Sequence, residues 1–522
     1  MGQSPDSWVQ LEIVQGHPWT VSLAVFSAVM FLWHSKTYWS LSHIPGPFLA
    51  RLTNLPRLLW VLSNRAHDIH VNLHRRYGNI VRFGPNMVSV SDPAEIANIY
   101  RYSKPWPKSD FYHALLMKPD GKPIPGIFGT QDEEIHRALK KPVAGAYSMS
   151  TLVKFEPYVD TTMGVFSDEL RARFAGSNDG RAACDLGQWL QMFAFDVIGE
   201  LTFSKRLGFL ESGNDVNGVM AGIWKMFQET ALVTQMPWID NLWTNNPVRR
   251  YFRGRGASPG AAFAMARVKE RRELLAKGRN DWDRDTRDFL SLFLEIESKE
   301  KALPPYALAA WASSNITAGS DTTAILLRAL FHYLLSNPPT LARLRAEIDA
   351  ADLPEKVPWK RAKAELPYLD ACVKEATRMH PPFGLPYERV VPGPAPAVVC
   401  GKTLQPGTVV GMSAWVVGRN RALFGADADE WRPERWVGVD EKTLREMEGA
   451  SMAFGAGHRT CMGKHIAHLE IYKIVPTLLK QFDFELLSPG GSGWTVQNRW
   501  FVMQQGLMVR LKDRMTAAPI DK

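Results

Sequence analysis

The residues with the most chemical potential are Phe454-Gly455-Ala456-Gly457-His458-Arg459-Thr460-Cys461-Met462-Gly463. Glycines at 455, 457 and 463 let the backbone pass close to a flat, bulky group and adopt φ values closed to other residues. Backbone N–H groups of such a loop can point at the Cys461 sulfur and tune its charge. A helical run, His465–Leu479, follows, and its N-terminal dipole favours a thiolate at Cys461. Arg459 offers a planar fork suited to a carboxylate, and Phe454 can pack beside the sulfur. The competing reading is a glycine-rich turn with a buried, inert Cys. That reading suits Cys184, Cys372 and Cys400, which lie far apart and form no Cys-x-x-Cys pair.

Two further constellations precede this loop. Ala318-Gly319-Ser320-Asp321-Thr322-Thr323 interrupts a long apolar run from Pro305 to Ser336. Glycine weakens a helix, and Ser and Thr hydroxyls bond back to carbonyls a turn earlier and loosen it. The result is a local opening for a diatomic ligand and water, with an acid beside an alcohol as a proton path. Glu375-Ala376-Thr377-Arg378 places opposite charges one helical turn apart. Alone it says little, because Glu134 and Arg137 share the spacing and a solvated pair adds little stability. Its order in the chain adds meaning: Trp431-Arg432-Pro433-Glu434-Arg435-Trp436 comes next, then the Cys461 loop.

The elements that must position these residues are mostly helical. Asp288–Ile296 and Leu341–Ile348 carry apolar residues at helical spacing. Strand-like runs occur at Ile80–Phe83 and Met87–Val90, and again near Thr408–Val417 and Gly506–Leu511. The run to Ser336 ends at Asn337-Pro338-Pro339, and its central polar residues argue against a membrane span. Pro18 to Trp33 is uncharged and, with flanking residues to Trp39, approaches the roughly 20 residues a bilayer requires. Lys36, Arg51, Arg57 and Arg65 follow it, which places the chain's main body in the cytosol. A stiff His43-Ile44-Pro45-Gly46-Pro47-Phe48 elbow comes next. From about Leu52 onward no linker or repeat divides the 522-residue chain. The net charge of +9 favours a membrane surface or an acidic protein. No zinc spacing, aromatic ribonucleoprotein motif or basic arm points to nucleic acid.

In this order the segments resemble the cytochrome P450 family, over nearly the whole chain from the anchor and the Pro-rich elbow to the C-terminus. Phe454, Gly457, Arg459, Cys461 and Gly463 match its haem-binding signature, with Ala467 and Glu470 where members often have Ala and Glu. The resemblance implies a mainly α haem domain with minor β over 41–522 and an N-terminal transmembrane anchor over 1–40. It implies haem b, with Cys461 as the iron's axial ligand and Phe454, Arg459 and Gly463 beside it. Glu375, Arg378 and Arg435 would form a buried charge network. Asp321 and Thr322 would be the catalytic acid and alcohol, with Thr323 facing elsewhere. One motif departs from the family pattern: Trp-x-x-x-Arg is replaced by His136 and Lys140, which together with Arg389 would reach the haem propionates.

Asp288–Ile296 and Phe128–Ser150 look most like fungal microsomal members of the pisatin demethylase-like kind. The implied activity is O2-dependent monooxygenation of an apolar small molecule, such as a fungal secondary-metabolite intermediate. Phe111–Phe128, Trp311–Ser314, Phe383–Pro386 and Arg499–Phe501 would line its pocket. Electrons would come from NADPH–cytochrome P450 reductase, docked on a basic face with Lys140, Lys141 and Lys464. The chain would be a single-pass endoplasmic reticulum protein with its catalytic domain in the cytosol. Two rivals are a haem-thiolate rearrangement enzyme that needs no reductant and a membrane-bound haem sensor.

Overall fold

The apolar run ending at Asn337 forms one helix, Ala307–Ser336, through the middle of the protein. The computed structural model describes residues 22, 38–116, 123–175, 182–240, 246, 259–278, 287–487 and 493–514. The central helix packs against Leu186–Phe203, a helix buried along nearly its whole length. A helix buried on all sides has no polar face, and this one carries few charges. Gly319 sits at their crossing, where an added Cβ would lie 3.1 Å from Ile198. The helices Pro367–Met379 and Lys464–Gln481 complete the core around the central one. Asp288 caps the helix Phe289–Lys299, accepting from the Ser291 N–H.

A mixed four-stranded sheet flanks the helices. Ile80–Gly84 pairs antiparallel with Met87–Val90, which runs parallel to Val409–Met412 with Val88 opposite Val410. Tyr387–Val390 closes the sheet, with Arg389 opposite Val410. A hairpin of Thr495–Arg499 and Phe501–Gln505 lies near the central helix. The strand expected over Thr408–Val417 stops at Met412, and Ala414–Val417 turns into a helix. The Trp415 indole explains the change: it donates to the Pro381 carbonyl and meets the rings of His67 and His380 edge-on. The segment 18–33, expected to span a bilayer, lies outside the described residues apart from residue 22. Among the described residues no helix is long and apolar enough to cross a membrane.

The Glu-x-x-Arg pair is buried. Arg378 grips the Glu375 carboxylate with Nη2 at 2.6 Å and Nε at 2.8 Å. Arg435 Nε adds a contact at 3.3 Å, and Trp436 Nε1 and the Arg432 N–H donate at 2.8 and 3.0 Å. Arg378 also donates to the carbonyls of Gly418, Ala428 and Glu430, and Arg435 to Phe424 and Asp427. One carboxylate thus fixes the path of residues 418–436. Removing one side of a buried pair leaves an uncompensated charge, at a cost of about 3–5 kcal/mol. Glu375→Ala is expected to lower the unfolding free energy by that amount in urea titrations. A change under about 1 kcal/mol would mean the pair behaves as a solvated one.

Histidines form a second buried cluster. His67, His70 and His74 line one face of the helix Ala66–Tyr77. Burial pushes His70 down to about 3 and His74 to about 4, below the ordinary value near 6.5. In this cluster the unfolded chain therefore takes up protons between pH 6.5 and 4 while the folded chain does not. The stability these neutral rings contribute is complete above pH 6.5 and is lost as pH falls through that window. His70 sits edge-on to both Trp60 and Phe83, so Phe can replace it. His70→Phe is expected to gain about 1.4 kcal/mol on the native protein per pH unit from pH 6.5 to 4.5. A constant difference over that range would show that His70 titrates normally.

Candidate active site

The Cys461 loop is held by its own backbone. The Cys461 N–H donates to the Phe454 carbonyl at 2.8 Å. Gly455 and Gly457 both have positive φ, and a Cβ on Gly457 would lie 2.0 Å from the Tyr100 carbonyl oxygen. Glycine is therefore obligatory at 457 on two counts. Gly463 caps the helix Lys464–Gln481, and the N–H groups of Gly463 and Lys464 donate to the Cys461 sulfur. Burial pushes this thiol up, while those two N–H groups, Lys140 and Lys464 pull it back. A bound cation would complete the shift to thiolate. Phe454 lies edge-on to His468 with its centroid 5.4 Å away.

Cys461 is surrounded by protein, which is what pushes its thiol up, yet it presents open surface, so it faces an opening within the fold. The central helix has a matching stripe. Ala318 is exposed, and Ser314 and Thr322, one turn either side, are half-buried between fully buried neighbours. Tyr147 connects the two regions: it feels the charge of Cys461 and donates to Asn315 Oδ1 at 2.6 Å. A small-residue stripe and an open sulfur suit a flat group between them.

Positive charge gathers beside the loop. Arg459 binds Glu133 through Nη2 at 2.7 Å, and His458 Nε2 lies 2.8 Å from the same carboxylate. His136 Nδ1 is 3.7 Å from Glu133, and Lys140 Nζ donates to the His458 carbonyl at 2.6 Å. Burial, then Arg459 and Lys140, push His136 down to about 3, so its ring is neutral at pH 7 and donates one N–H. Arg389 donates to the Glu388 carbonyl at 2.8 Å and approaches the Tyr112 hydroxyl.

Sequence reasoning missed Lys108. It is buried between the rings of Tyr112 and Phe128, and its ammonium donates to the Phe128 carbonyl. Burial drives its pKa well down, helped by Arg389 and Arg459. Glu133 is thus the carboxylate shared by Arg459, His458 and His136, while Lys108, Lys140 and Arg389 are held by carbonyl or hydroxyl oxygens. Buried positive charge in excess of its carboxylates favours an anionic ligand. The basic side chains and the sulfur therefore fit haem b: Cys461 would hold its iron, and Arg459, Arg389, Lys140, Lys108 and the neutral ring of His136 could donate to its propionates.

The motif residues of the central helix face different ways. Thr322 Oγ1 donates to the Ala318 carbonyl at 2.8 Å and borders the open stripe, whereas Thr323 is buried and bonds Gly319 at 3.0 Å. Asp321 turns from the stripe toward the neighbouring helix, where Gln191 Nε2 donates to its Oδ1 at 2.5 Å. Burial pushes Asp321 up to about 6, against the opposing pull of Gln191 and Arg328. Local spacing carries no signal for Gln191, Arg328 or Lys108. Glu133 sits three residues before His136 and could have been found on that helix face.

The expected pocket segments meet only in part. Phe111 stacks on Trp500 at 4.7 Å, and Phe383 contacts Phe128, Trp500 and Phe501. Trp311 belongs instead to the core: it is buried, packs on Phe293 and donates to the Leu139 carbonyl at 2.9 Å. Its ring is held by partners the sequence could not reveal.

Residues 45–509 match the model of the family described as Cytochrome P450. A cytochrome P450 monooxygenase of Aspergillus terreus is 64% identical over 472 residues, covering 90% of this chain and 94% of that protein. Cytochrome P450 monooxygenase cicH of Emericella nidulans is 50% identical over 485 residues, 91% of this chain and 94% of its own length. Cytochrome P450 monooxygenase mpaDE of Penicillium roqueforti is 44% identical over 485 residues, 91% of this chain and 56% of that longer protein. These likenesses are to fungal P450s in general and carry no sign of pisatin demethylase specificity. With Cys461 presented to a cation-rimmed opening and the match running almost end to end, the chain belongs to the cytochrome P450 family of haem-thiolate monooxygenases.

Proposed function

We propose that this monooxygenase oxidises an apolar small molecule of fungal secondary metabolism, with electrons from an NADPH-dependent reductase at the endoplasmic reticulum. The observation that carries the reading is the open stripe Ser314–Ala318–Thr322 on a largely buried helix. The aromatic side chains of Phe111, Phe128, Phe383, Trp500 and Phe501 support an apolar substrate. Haem held by Cys461 would supply oxygen activation of the kind that a thiolate ligand favours. The protein's part is to orient substrate, exclude water and place protons. In this reading Phe454 shields the sulfur and Gly463 turns an N–H toward it. Arg459, Arg389, Lys140 and His136 hold the propionates. Thr322 keeps acceptor capacity while its hydroxyl donates to Ala318, so it can hold and pass on a proton. Asp321 is the acid that recharges it. Lys140, Lys141 and Lys464 would suit an acidic flavoprotein.

Thr322→Ala is expected to keep haem and NADPH consumption while product per NADPH falls severalfold and hydrogen peroxide rises. Thr323→Ala should stay coupled, and Asp321→Asn should slow turnover. The measurement is coupling in a reductase co-expression system fed candidate scaffolds, with products read by mass spectrometry. Full coupling in Thr322→Ala, or turnover without NADPH, would remove the proton-relay reading.

Residues 1–40 are proposed as the anchor and 41–522 as the catalytic domain. Trp39, at the end of the proposed anchor, and Phe48, Leu49, Leu52, Leu55, Leu59 and Leu62, just after it, are exposed, which supports a bilayer beside this end. The full-length protein should stay in the membrane pellet after a carbonate wash, and removal of residues before Ser40 should release most of it with haem retained. A full-length protein that washes off cleanly has no such anchor.

A further inference from the structure

Asp321 is the start of a buried chain of side chains. Gln191 Nε2 donates to its Oδ1, and Gln191 Oε1 accepts from Arg328 Nη2, each at 2.5 Å. A guanidinium only donates, so the Gln191 carbonyl must face Arg328 and its amide N–H must face Asp321. The glutamine cannot flip without losing both contacts. Arg328 is itself fixed by the Gly187 carbonyl at 2.7 Å, the Met503 sulfur at 2.8 Å and the Gln504 carbonyl at 3.5 Å. All three side chains are buried. Asp321 Oδ2 has no hydrogen-bond partner among the described residues, an arrangement that disfavours a carboxylate and suits a neutral acid.

Arg328 stands two turns from Asp321 on the same helix, and the amide of Gln191 lies between them. A guanidinium in direct contact would keep the carboxylate ionised at neutral pH. With the amide interposed the attraction weakens, burial prevails, and Asp321 is pushed up to about 6. The other charges that reach this chain are Asp215, which acts on Asp321, and Asp185, which acts on Arg328.

We propose that Gln191 and Arg328 are positioning residues that hold the Asp321 carboxyl back against the helix Leu186–Phe203 and set the pH at which it carries a proton. This rests on the role proposed above for Asp321. Gln191 is a spacer: it keeps the acid in place while preventing the direct ion pair that would strip its proton.

The test uses the full-length holoprotein with NADPH and a flavoprotein reductase in air, without substrate. Oxygen is then reduced to hydrogen peroxide with one NADPH or to two waters with two. The NADPH-to-peroxide ratio reads proton supply without a known substrate. In the native protein this ratio should change with pH around a midpoint near 6. Gln191→Glu preserves the acceptor for Arg328 but sets a carboxyl against Asp321, and should raise the midpoint by about one to two pH units. Infrared difference titration of ferric holoprotein should show the same shift in a carboxylic C=O band that Asp321→Asn abolishes. A merely structural Gln191 would lower stability and leave both midpoints in place, which overturns the proposal. If Asp321→Asn itself keeps the native pH transition, the Asp321 role has failed and the spacer falls with it. Should Gln191→Glu take up no haem, Arg328→Lys serves: the charge stays, the hold on the Gln191 carbonyl goes, and the midpoint should move from its native value. An unmoved midpoint there overturns the proposal as well.

Discussion

A sulfur anion inside a protein is the constraint to which the rest of this structure answers. Burial alone disfavours the thiolate and pushes the Cys461 thiol up. The loop opposes this with two N–H groups at the start of a long helix, so the helix terminus and the hydrogen bonds act in the same direction. Those N–H groups point at the sulfur only if the loop keeps its shape. Gly457 passes too close to the Tyr100 carbonyl for any side chain. The carboxylate of Glu375 fixes residues 418–436, the stretch that leads toward the loop. Substitutions far from the sulfur can therefore disturb it through backbone path alone.

The central helix meets a second demand. It must be rigid enough to form the core and open enough to leave room. Gly319 makes the close crossing with Ile198 possible. Ser320, Thr322 and Thr323 each return a hydroxyl to a carbonyl four residues back, so no hydroxyl in this turn is wasted and the helix is loosened where the opening lies. The exposed stripe is narrow because most of the helix is buried against its neighbours.

What could be read in the sequence was local or ordered along the chain. The Cys461 loop is one contiguous turn with its helix, so its residue types report its geometry directly. Glu375 and Arg378 share a helix face, and their pairing follows from spacing; their burial does not, since Glu134 and Arg137 have the same spacing. Trp415 ends a strand that sequence alone would continue, because the partners of its indole lie at Pro381, His67 and His380. Trp311 left the expected pocket for the same reason. Lys108 and Gln191 carry no motif and acquire meaning only where the fold sets them beside Arg459 and Asp321.

Charge placement joins these threads. Among the described residues near the sulfur, basic side chains outnumber carboxylates, and the imbalance falls on groups whose partners are carbonyl or hydroxyl oxygens that a stronger anion can displace. At Asp321 the logic is reversed. One buried carboxylate has one buried guanidinium for company, with an uncharged amide between them. The first arrangement suits a permanent anion. The second leaves an acid free to change its charge. A direct pair at Asp321 would hold the proton away at neutral pH, and an unpaired acid in that apolar setting would not give it up. The amide spacing lies between these limits, where a proton can be both held and released near neutral pH.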